Sequence, residues 1–360
     1  MTVTDILAQK DFNFLNLLTL LNCTGEDQER LFAASKQKRI SSIGNDVYMR
    51  GLVEISNICI KDCLYCGIRK SNTQTIRYQL NDKEILEAAQ FAYENQYGSI
   101  VLQGGERCDQ EFILRIENLL KEIKQASNQQ LGVTLSLGEQ SEHTYKRWLG
   151  AGAHRYLLRI ETSNEKLYRK IHPNNDLHSF SSRLKCIKLL QKCGYQTGTG
   201  IMIGLPFQTI EDLANDLLFL KEMDIDMVGM GPYLEHNNTP LWQYRERLIS
   251  QPERLQLGLR MISCLRLLMP EINIAATTAL QAIDSLGREK ALEIGANVIM
   301  PNITPLSNRE NYQLYANKPG MDEGAEDSTR HLIESVERSG CKIKLNAWGD
   351  SIHFKRKNIP

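Results

Sequence analysis

The chain has 360 residues, with 43 Lys and Arg set against 43 Asp and Glu, so its net charge is zero. That balance argues against nucleic acid or a membrane surface as partner, and no apolar run approaches the ~20 residues a membrane span needs. Nine cysteines, an odd number scattered over a long chain, suit a reducing compartment better than a disulfide framework, and we expect a cytoplasmic protein.

The opening, MTVTDILAQKDFNFLNLLTLL, is partly apolar but has no basic region and no small-residue cleavage site, so residues 1–46 read as a helical N-terminal extension rather than a signal peptide. From residue 47 onward, β-type runs alternate with helical patterns. The runs are 47–56, 99–105, 132–138, 155–161, 197–205, 227–233, 273–280 and 296–302, eight in all. The first long helical segment between them opens at a polar cap, Asn81 or Asp82. Another opens at Thr209 with acidic residues in its first turn, and a third stops at Pro270. Gly98, Gly152, Gly194 and Gly295 follow helical stretches, where a left-handed residue is wanted. Cys186, Cys193 and Cys264 sit in apolar helical patterns and read as packing residues.

Eight strand–helix units predict an α/β fold, a (β/α)8 TIM-type barrel with a helical N-terminal extension; an open doubly wound sheet is the alternative, since counting does not prove closure. The expected divisions are 1–46 for the extension, 47–320 for the barrel, and 321–360 for a last helix and tail.

In such a barrel the chemistry gathers at the strand C-termini. There lies SNICIKDCLYCGIRKSN, with Cys59, Cys63 and Cys66 spaced C-x3-C-x2-C in the loop after the first strand. Glu106, Thr134, Ser136, Glu139, Arg159, Glu161, Thr277, Thr278 and Asn302 fall at the ends of later strands. A structural zinc site wants four ligands, and a four-iron cluster usually takes four thiolates. Three thiols leave one metal position open, the mark of a catalytic centre, although zinc and a chance grouping remain alternatives. His154, His172, His178, His236 and His353 show no ligand spacing.

The three-cysteine motif, with Tyr65 just before its last member, resembles the signature of the radical S-adenosylmethionine (SAM) family, and QGGE at 103–106 resembles that family's Gly-Gly-Glu motif. VTLSLGE, RYLLRIETSN, GLPFQTIEDLANDLLFLKEMDIDMVGMGP, AATTA, GANVIMPN and YQLY narrow the resemblance, over residues 47–315, to the HydE family of [FeFe]-hydrogenase maturases.

The resemblance implies a radical SAM enzyme with one [4Fe-4S] cluster on Cys59, Cys63 and Cys66. It places SAM against Gly104, Gly105 and Glu106, with Tyr65, Ser136, Glu161 and Arg183 nearby. Thr134, Arg159, Thr277, Thr278 and Tyr312 would line a substrate cavity. The implied substrate is a small iron–cysteine complex bearing CO and CN, attacked at its cysteine sulfur by a 5′-deoxyadenosyl radical during H-cluster assembly. The companion maturases HydG and HydF and a ferredoxin- or flavodoxin-type reductant would be its partners.

Two departures are visible. Only Cys341 follows residue 315, so no second cluster is expected, and Gly104 stands where some HydE sequences carry Ser. Methylornithine synthase, acting on lysine, and biotin synthase are rival enzymes. A non-catalytic iron–sulfur carrier or scaffold is the rival of another class, but a carrier would fill all four cluster positions with protein ligands.

Overall fold

The computed structural model describes residues 1–316, 318–319 and 325–357. The predicted boundary at 320/321 lies outside them. The barrel strands, in chain order, are β1 (Asp46–Ser56), β2 (Ser99–Gly104), β3 (Gly132–Ser136), β4 (Ala153–Leu157), β5 (Gln196–Thr199), β7 (Met227–Val228), β9 (Asn273–Ile274) and β10 (Val298–Ile299). From β1 to β9 each pairs in parallel with the next, and β10 pairs with β1. The ring closes between β9 and β10, where Asn297 N donates to Ile274 O at 2.9 Å and Ala276 N to Val298 O at 2.9 Å. The barrel is therefore the observed solution, and the open sheet is not.

Two predicted strands are interrupted. After Thr199 and Val228 the chain breaks at Gly200 and Gly229, then resumes as β6 (Met202–Ile203) and β8 (Gly231–Pro232), which pair with each other. The Arg159 side chain occupies the space at this break and donates to Gly229 O. A Cβ on Gly200 would stand 2.4 Å from Arg159 Nη1 and 2.2 Å from Gly229 O. The run predicted as a strand over 273–280 ends early, and Thr278–Ile283 is a helix. The paired threonines suggest β structure by propensity, but the Ala-Leu-Gln that follows favours helix, and tertiary context decides. Gly295 has φ 176°, an extended rather than left-handed conformation. Space there is tight, since a Cβ would lie 3.1 Å from Ile262 Cγ2 and 3.2 Å from Ser35 Oγ, and those side chains would have to give by a few tenths of an ångström. Gly98, Gly152 and Gly194 do take positive φ.

Asn81 caps the helix Asp82–Glu94 through a capping box with Glu84, and Thr209 caps Ile210–Glu222 in the same way with Asp212. The N-terminal segment forms helices Val3–Leu7, Phe14–Asn22 and Gly25–Ile43. Ser35 Oγ donates to Ile294 O at 2.5 Å and Arg260 Nη1 to Cys23 O at 3.2 Å, so this segment packs against the helices Gln251–Leu268 and Gly287–Ile294. No helix among the described residues is long and apolar enough to cross a membrane.

The C-terminal segment has a role that its sequence does not announce. After the helix Ala325–Arg338, β11 (Lys342–Ile343) pairs with the start of β1, and the chain then runs beneath the barrel. Gly349 O accepts from Arg50 Nη2 at 3.1 Å and from Asn273 Nδ2 at 2.7 Å. Arg155 Nη1 donates to Trp348 O at 2.6 Å and to Asp350 Oδ1 at 2.7 Å. Ser351 N reaches Gln196 Oε1 at 3.2 Å. Four strands are thus tied to one tail, which forms the barrel's floor.

Candidate active site

The loop leaving β1 is held by one arginine. Arg77 Nη1 donates to Asn57 O and Ile68 O, both at 2.7 Å, and Nη2 to Asn72 O at 3.2 Å. Asn57 Nδ2 donates to Asn311 O at 2.6 Å and Gly67 N to Leu314 O at 3.0 Å, which seats the loop against the segment 311–315. Only glycine fits at 67, since a Cβ would stand 2.1 Å from Gln313 O and 2.7 Å from His236 Cδ2.

The cysteine loop and the QGGE turn are docked together. Ile60 N donates to Glu106 O at 3.0 Å, and Glu106 N points to Cys59 Sγ at 3.3 Å. A Cβ on Gly105 would meet Ile58 O at 2.3 Å. Gly104 is less constrained: a Cβ would meet Ile55 Cγ1 at 3.3 Å and Ser56 O at 3.4 Å, so a serine there needs only small shifts.

Cys59, Cys63 and Cys66 are all half-buried. Burial pushes each thiol up, Cys63 to about 12. Without a bound cation these sulfurs stay protonated at neutral pH, and a metal centre supplies the charge that ionises them. Three cysteine sulfurs on one short loop leave a zinc ion short of the four protein ligands of a closed site, whereas they fit a [4Fe-4S] cluster with one iron left open.

Behind the loop lies a compact group of four charges. Lys61 Nζ is 3.2 Å from Glu106 Oε1 and 3.1 Å from Glu139 Oε2, and it also donates to Leu177 O. Arg183 Nε is 2.6 Å from Glu139 Oε1, with Nη2 3.7 Å from Glu106 Oε2. Burial raises the Glu106 carboxyl, against the opposing pull of Arg183 and Lys61. Two cations and two carboxylates thus balance one another in one buried cluster.

Tyr65 OH lies 3.4 Å from His172 Nε2, with the rings edge to face at 5.3 Å. Nδ1 of His172 is 2.9 Å from Tyr168 O, so Nδ1 carries the proton and Nε2 accepts. Burial pushes His172 down to about 3, and it stays neutral.

Arg159 grips Glu161 with a fork, Nε to Oε1 and Nη2 to Oε2, both at 2.8 Å. It also donates to Gly229 O, and to Ile201 O at 3.2 Å. Glu161 takes φ 68°, uncommon for a residue with a side chain. The turn after it is clamped by Asp216, whose Oδ1 accepts from Ser163 N at 2.5 Å and Ser163 Oγ at 2.6 Å.

Burial raises the Asp216 carboxyl to about 7. A raised native pKa means that the folded state binds a proton the unfolded state has lost, so stability falls as pH rises from about 4 to about 7. Asp216→Asn keeps the acceptor oxygen and removes the charge. It is expected to raise stability at pH 8 by up to about 4 kcal/mol, and by little at pH 4, in urea titrations at the two pH values.

The remaining predicted residues divide. Tyr312 OH accepts from Gln103 Nε2 at 3.3 Å, and Thr278 Oγ1 lies 2.8 Å from Tyr315 OH, both at the mouth. Thr277 Oγ1 donates to Met230 O at 3.3 Å. Ser136 ends β3 opposite Gln103. Thr134 lies deeper. Its Oγ1 accepts from Arg155 Nε at 2.9 Å, and it lines an interior cavity with Arg50, Met227 and Asn273 above the floor.

Several groups escaped the sequence reading. Lys61 lies between the motif's own cysteines, and that position was its signal. His172 and His178 were passed over for lack of ligand spacing, yet they serve as hydrogen-bond acceptors; His178 Nε2 takes the Asp62 N–H at 2.8 Å. Arg77 gave no signal because its partners are backbone carbonyls, and Asp216 gave none because its partner Ser163 lies far away in the chain.

The Radical SAM superfamily model matches residues 53–220. The [FeFe]-hydrogenase maturase subunit HydE of Thermotoga maritima is 46% identical over 322 residues, covering 89% of this chain and 88% of that protein. The 3-methylornithine synthase of Methanosarcina barkeri is 28% identical over 330 residues, covering 90% and 87%. The crystal structure of methylornithine synthase superposes with a TM-score of 0.79 at 25% identity, over 96% of this chain and 97% of that one. A parallel barrel with three thiols on its first loop and a Gly-Gly-Glu turn beside them defines a radical SAM enzyme, a class that binds a [4Fe-4S] cluster and SAM. Within that superfamily, the chain belongs to the HydE family.

Proposed function

We propose that the protein acts in [FeFe]-hydrogenase maturation, on a small iron–cysteine complex bearing CO and CN, whose cysteine sulfur would be attacked by the 5′-deoxyadenosyl radical released from SAM. The identity to Thermotoga maritima HydE, sustained over 89% of the chain, carries this reading. Cys59, Cys63 and Cys66 would hold the cluster, which when bound and reduced supplies the electron that splits the C5′–S bond of SAM. Lys61, Glu106, Glu139 and Arg183 offer paired charges to the amino and carboxylate groups of SAM, with the Gly104–Gly105 backbone beside them. Tyr65 bounds the adenine side, while Ser136 and Glu161 complete that wall. Arg159, Thr277, Thr278 and Tyr312 line the mouth where substrate would enter, and Thr134 lies at the cavity base. HydG and HydF are the proposed donor and acceptor proteins.

The test replaces HydE with this protein in a reconstituted maturation mixture containing HydG and HydF, and reads hydrogen evolution. Parallel incubation with lysine reads 3-methylornithine. Hydrogen evolution supports the reading, whereas lysine conversion without it transfers the enzyme to the methylornithine synthase activity.

Glu161→Ala is expected to weaken SAM binding about 10-fold or more while leaving cluster content unchanged, as measured by calorimetry on the reconstituted protein. Unchanged SAM affinity removes Glu161 from the site.

A further inference from the structure

The cysteine loop reaches the surface between two short helices that neither the sequence reading nor the proposed reaction uses. Leu64, next to Cys63, donates its N–H to Ile171 O at 3.0 Å and accepts from Leu241 N at 3.1 Å. Its backbone is thus bonded to the end of the helix Glu165–Ile171 and the start of the 3₁₀ helix Pro240–Arg247. These two helices carry five cations, Lys166, Arg169, Lys170, Arg245 and Arg247, against two carboxylates, Glu165 and Glu246. All five cations are exposed. The excess of three positive charges stands out on a chain whose net charge is zero.

Glu165 pairs with Arg169 at 2.6 Å and Glu246 with Arg245 at 3.3 Å. Lys166, Lys170 and Arg247 make no ion pair among the described residues. Lys170 and Arg247 instead lie over the Phe207 ring, at 5.0 and 5.7 Å, and Arg247 also lies 5.5 Å from the Tyr244 ring. Phe207 and Tyr244 meet edge to face at 4.8 Å.

This aromatic pair is held in place. Phe207 has φ 70°, and the Gln208 side chain accepts from Gly204 N at 2.7 Å while donating to Met202 O at 3.0 Å. Beneath it the same apolar cluster includes Leu167, Leu205 and Leu241, with Leu64 and Tyr65 packed against it. The surface and the cysteine loop are therefore one packed unit.

We propose that the face formed by Lys170, Phe207, Tyr244 and Arg247 docks an acidic one-electron carrier protein, which reduces the cluster across Leu64. Unpaired cations around a rigid aromatic centre match a carboxylate-rimmed partner with an apolar middle, and charge of this kind mainly sets the association rate. One electron passes from the reduced carrier to the oxidised cluster, with no bond made or broken. The proposal rests on Cys59, Cys63 and Cys66 holding that cluster.

The experiment follows bleaching of the reconstituted protein's cluster in a stopped-flow instrument, with reduced flavodoxin as the acidic probe and dithionite as the small reductant. Wild type is compared with Lys170→Glu/Arg247→Glu and with the charge-keeping Lys170→Arg/Arg247→Lys. For wild type, the flavodoxin rate should fall as salt is raised. The charge-reversed pair should be slower by about 10-fold or more at low salt, with dithionite reduction, cluster content and SAM affinity unchanged. The charge-keeping pair should resemble wild type. Equal flavodoxin rates in wild type and the reversed pair overturn the proposal, as does a wild type reduced by dithionite but not by flavodoxin. A reversed pair with a normal flavodoxin rate that no longer binds HydF or HydG also overturns it and assigns the face to maturase docking. Loss of the dithionite reaction in wild type would instead count against the cluster assignment itself.

Discussion

Cys63→Ala is expected to abolish cluster loading and SAM cleavage while leaving the barrel folded. The side chain lies in a loop, half-buried, and the nearby turn is made by backbone, with Cys66 N donating to Cys63 O at 3.2 Å. Loss of the thiol therefore disturbs no ladder and opens no core cavity, and thermal unfolding of the unloaded protein should shift little. The chemistry is another matter. Two thiols cannot replace three in holding a cluster, and when even outer partners of a metal site cost 10- to 100-fold, loss of a direct ligand should lower 5′-deoxyadenosine formation by on the order of 100-fold or more. Iron content, visible absorption and mass spectrometry of the quenched reaction check the three parts separately. A mutant that loses iron yet unfolds at the wild-type temperature fits the assignment. A mutant that still yields 5′-deoxyadenosine at the wild-type rate removes Cys63 from the cluster.

What the sequence could reveal followed the range of the forces involved. The eight strands were legible because each is a local apolar run between local breakers, and all eight predicted runs overlap a barrel strand. The capping residues Asn81 and Thr209 were legible because a cap is a contact over three residues. The strand breaks at Gly200 and Gly229 were not, since the guanidinium that lies against them arrives from residue 159. The helix at Thr278 was missed because its threonines carry a β signal that tertiary packing overrides.

The site divides in the same way. Cys59, Cys63, Cys66, Tyr65, Gly105 and Glu106 sit in two short motifs, and the structure brings those motifs together through Ile60 and Glu106. Arg183 was reached only through the family resemblance, and its pairing with Glu139 joins parts of the chain far apart in sequence. Lys61 shows how a local signal can be overlooked: a lysine between two metal-ligand positions reads as solvated loop until Glu106 and Glu139 are seen beside it. Arg77 acts on backbone carbonyls that any sequence could supply, and Asp216 on Ser163, 53 residues away, so no local pattern marks either.

The tail is the clearest case of a feature beyond the reach of sequence, and it carries the second large expectation: Asp350→Ala should destabilise the protein by about 3–5 kcal/mol. Arg155 is fully buried at the barrel floor, and Asp350 is the carboxylate paired with it. Arg50 adds a second buried guanidinium, bonded to Gly349 O at 3.1 Å and to Met227 Sδ at 3.2 Å. Burial lowers both guanidiniums, Arg155 to about 10, which measures how poorly the site tolerates their charge. Removing Asp350 leaves two buried cations with no carboxylate to answer them.

The sign of the pH dependence follows. Burial alone would raise the Asp350 carboxyl, but His154, Arg155 and Arg50 hold it far below the usual range. A lowered native pKa gives stability that is present above the unfolded value, about 3.9, and is lost as pH falls through the native one. His154, with Nε2 at 3.3 Å from Asp350 Oδ1, is pushed down to about 3 by burial, so the unfolded state takes up its proton first, from about pH 6.5 downward. Both groups therefore make the floor acid-sensitive. Between about pH 6.5 and about pH 4 the His154 contribution runs against that of Asp216, whose raised carboxyl stabilises the fold as pH falls. Below about pH 4 the floor's loss is no longer opposed, so wild type should lose stability steeply there, and Asp350→Ala should flatten that limb.

Arg155→Met/Asp350→Ala separates loss of a pair from exposure of a lone charge. If the cost of Asp350→Ala is mainly the uncompensated Arg155, the double variant should lose less than the sum of the single variants by 1 kcal/mol or more, on the order expected for charges in contact. Strict additivity in urea titrations at pH 7 would mean that the tail is held by its backbone bonds to Arg50, Asn273 and Gln196, with the ion pair contributing nothing of its own.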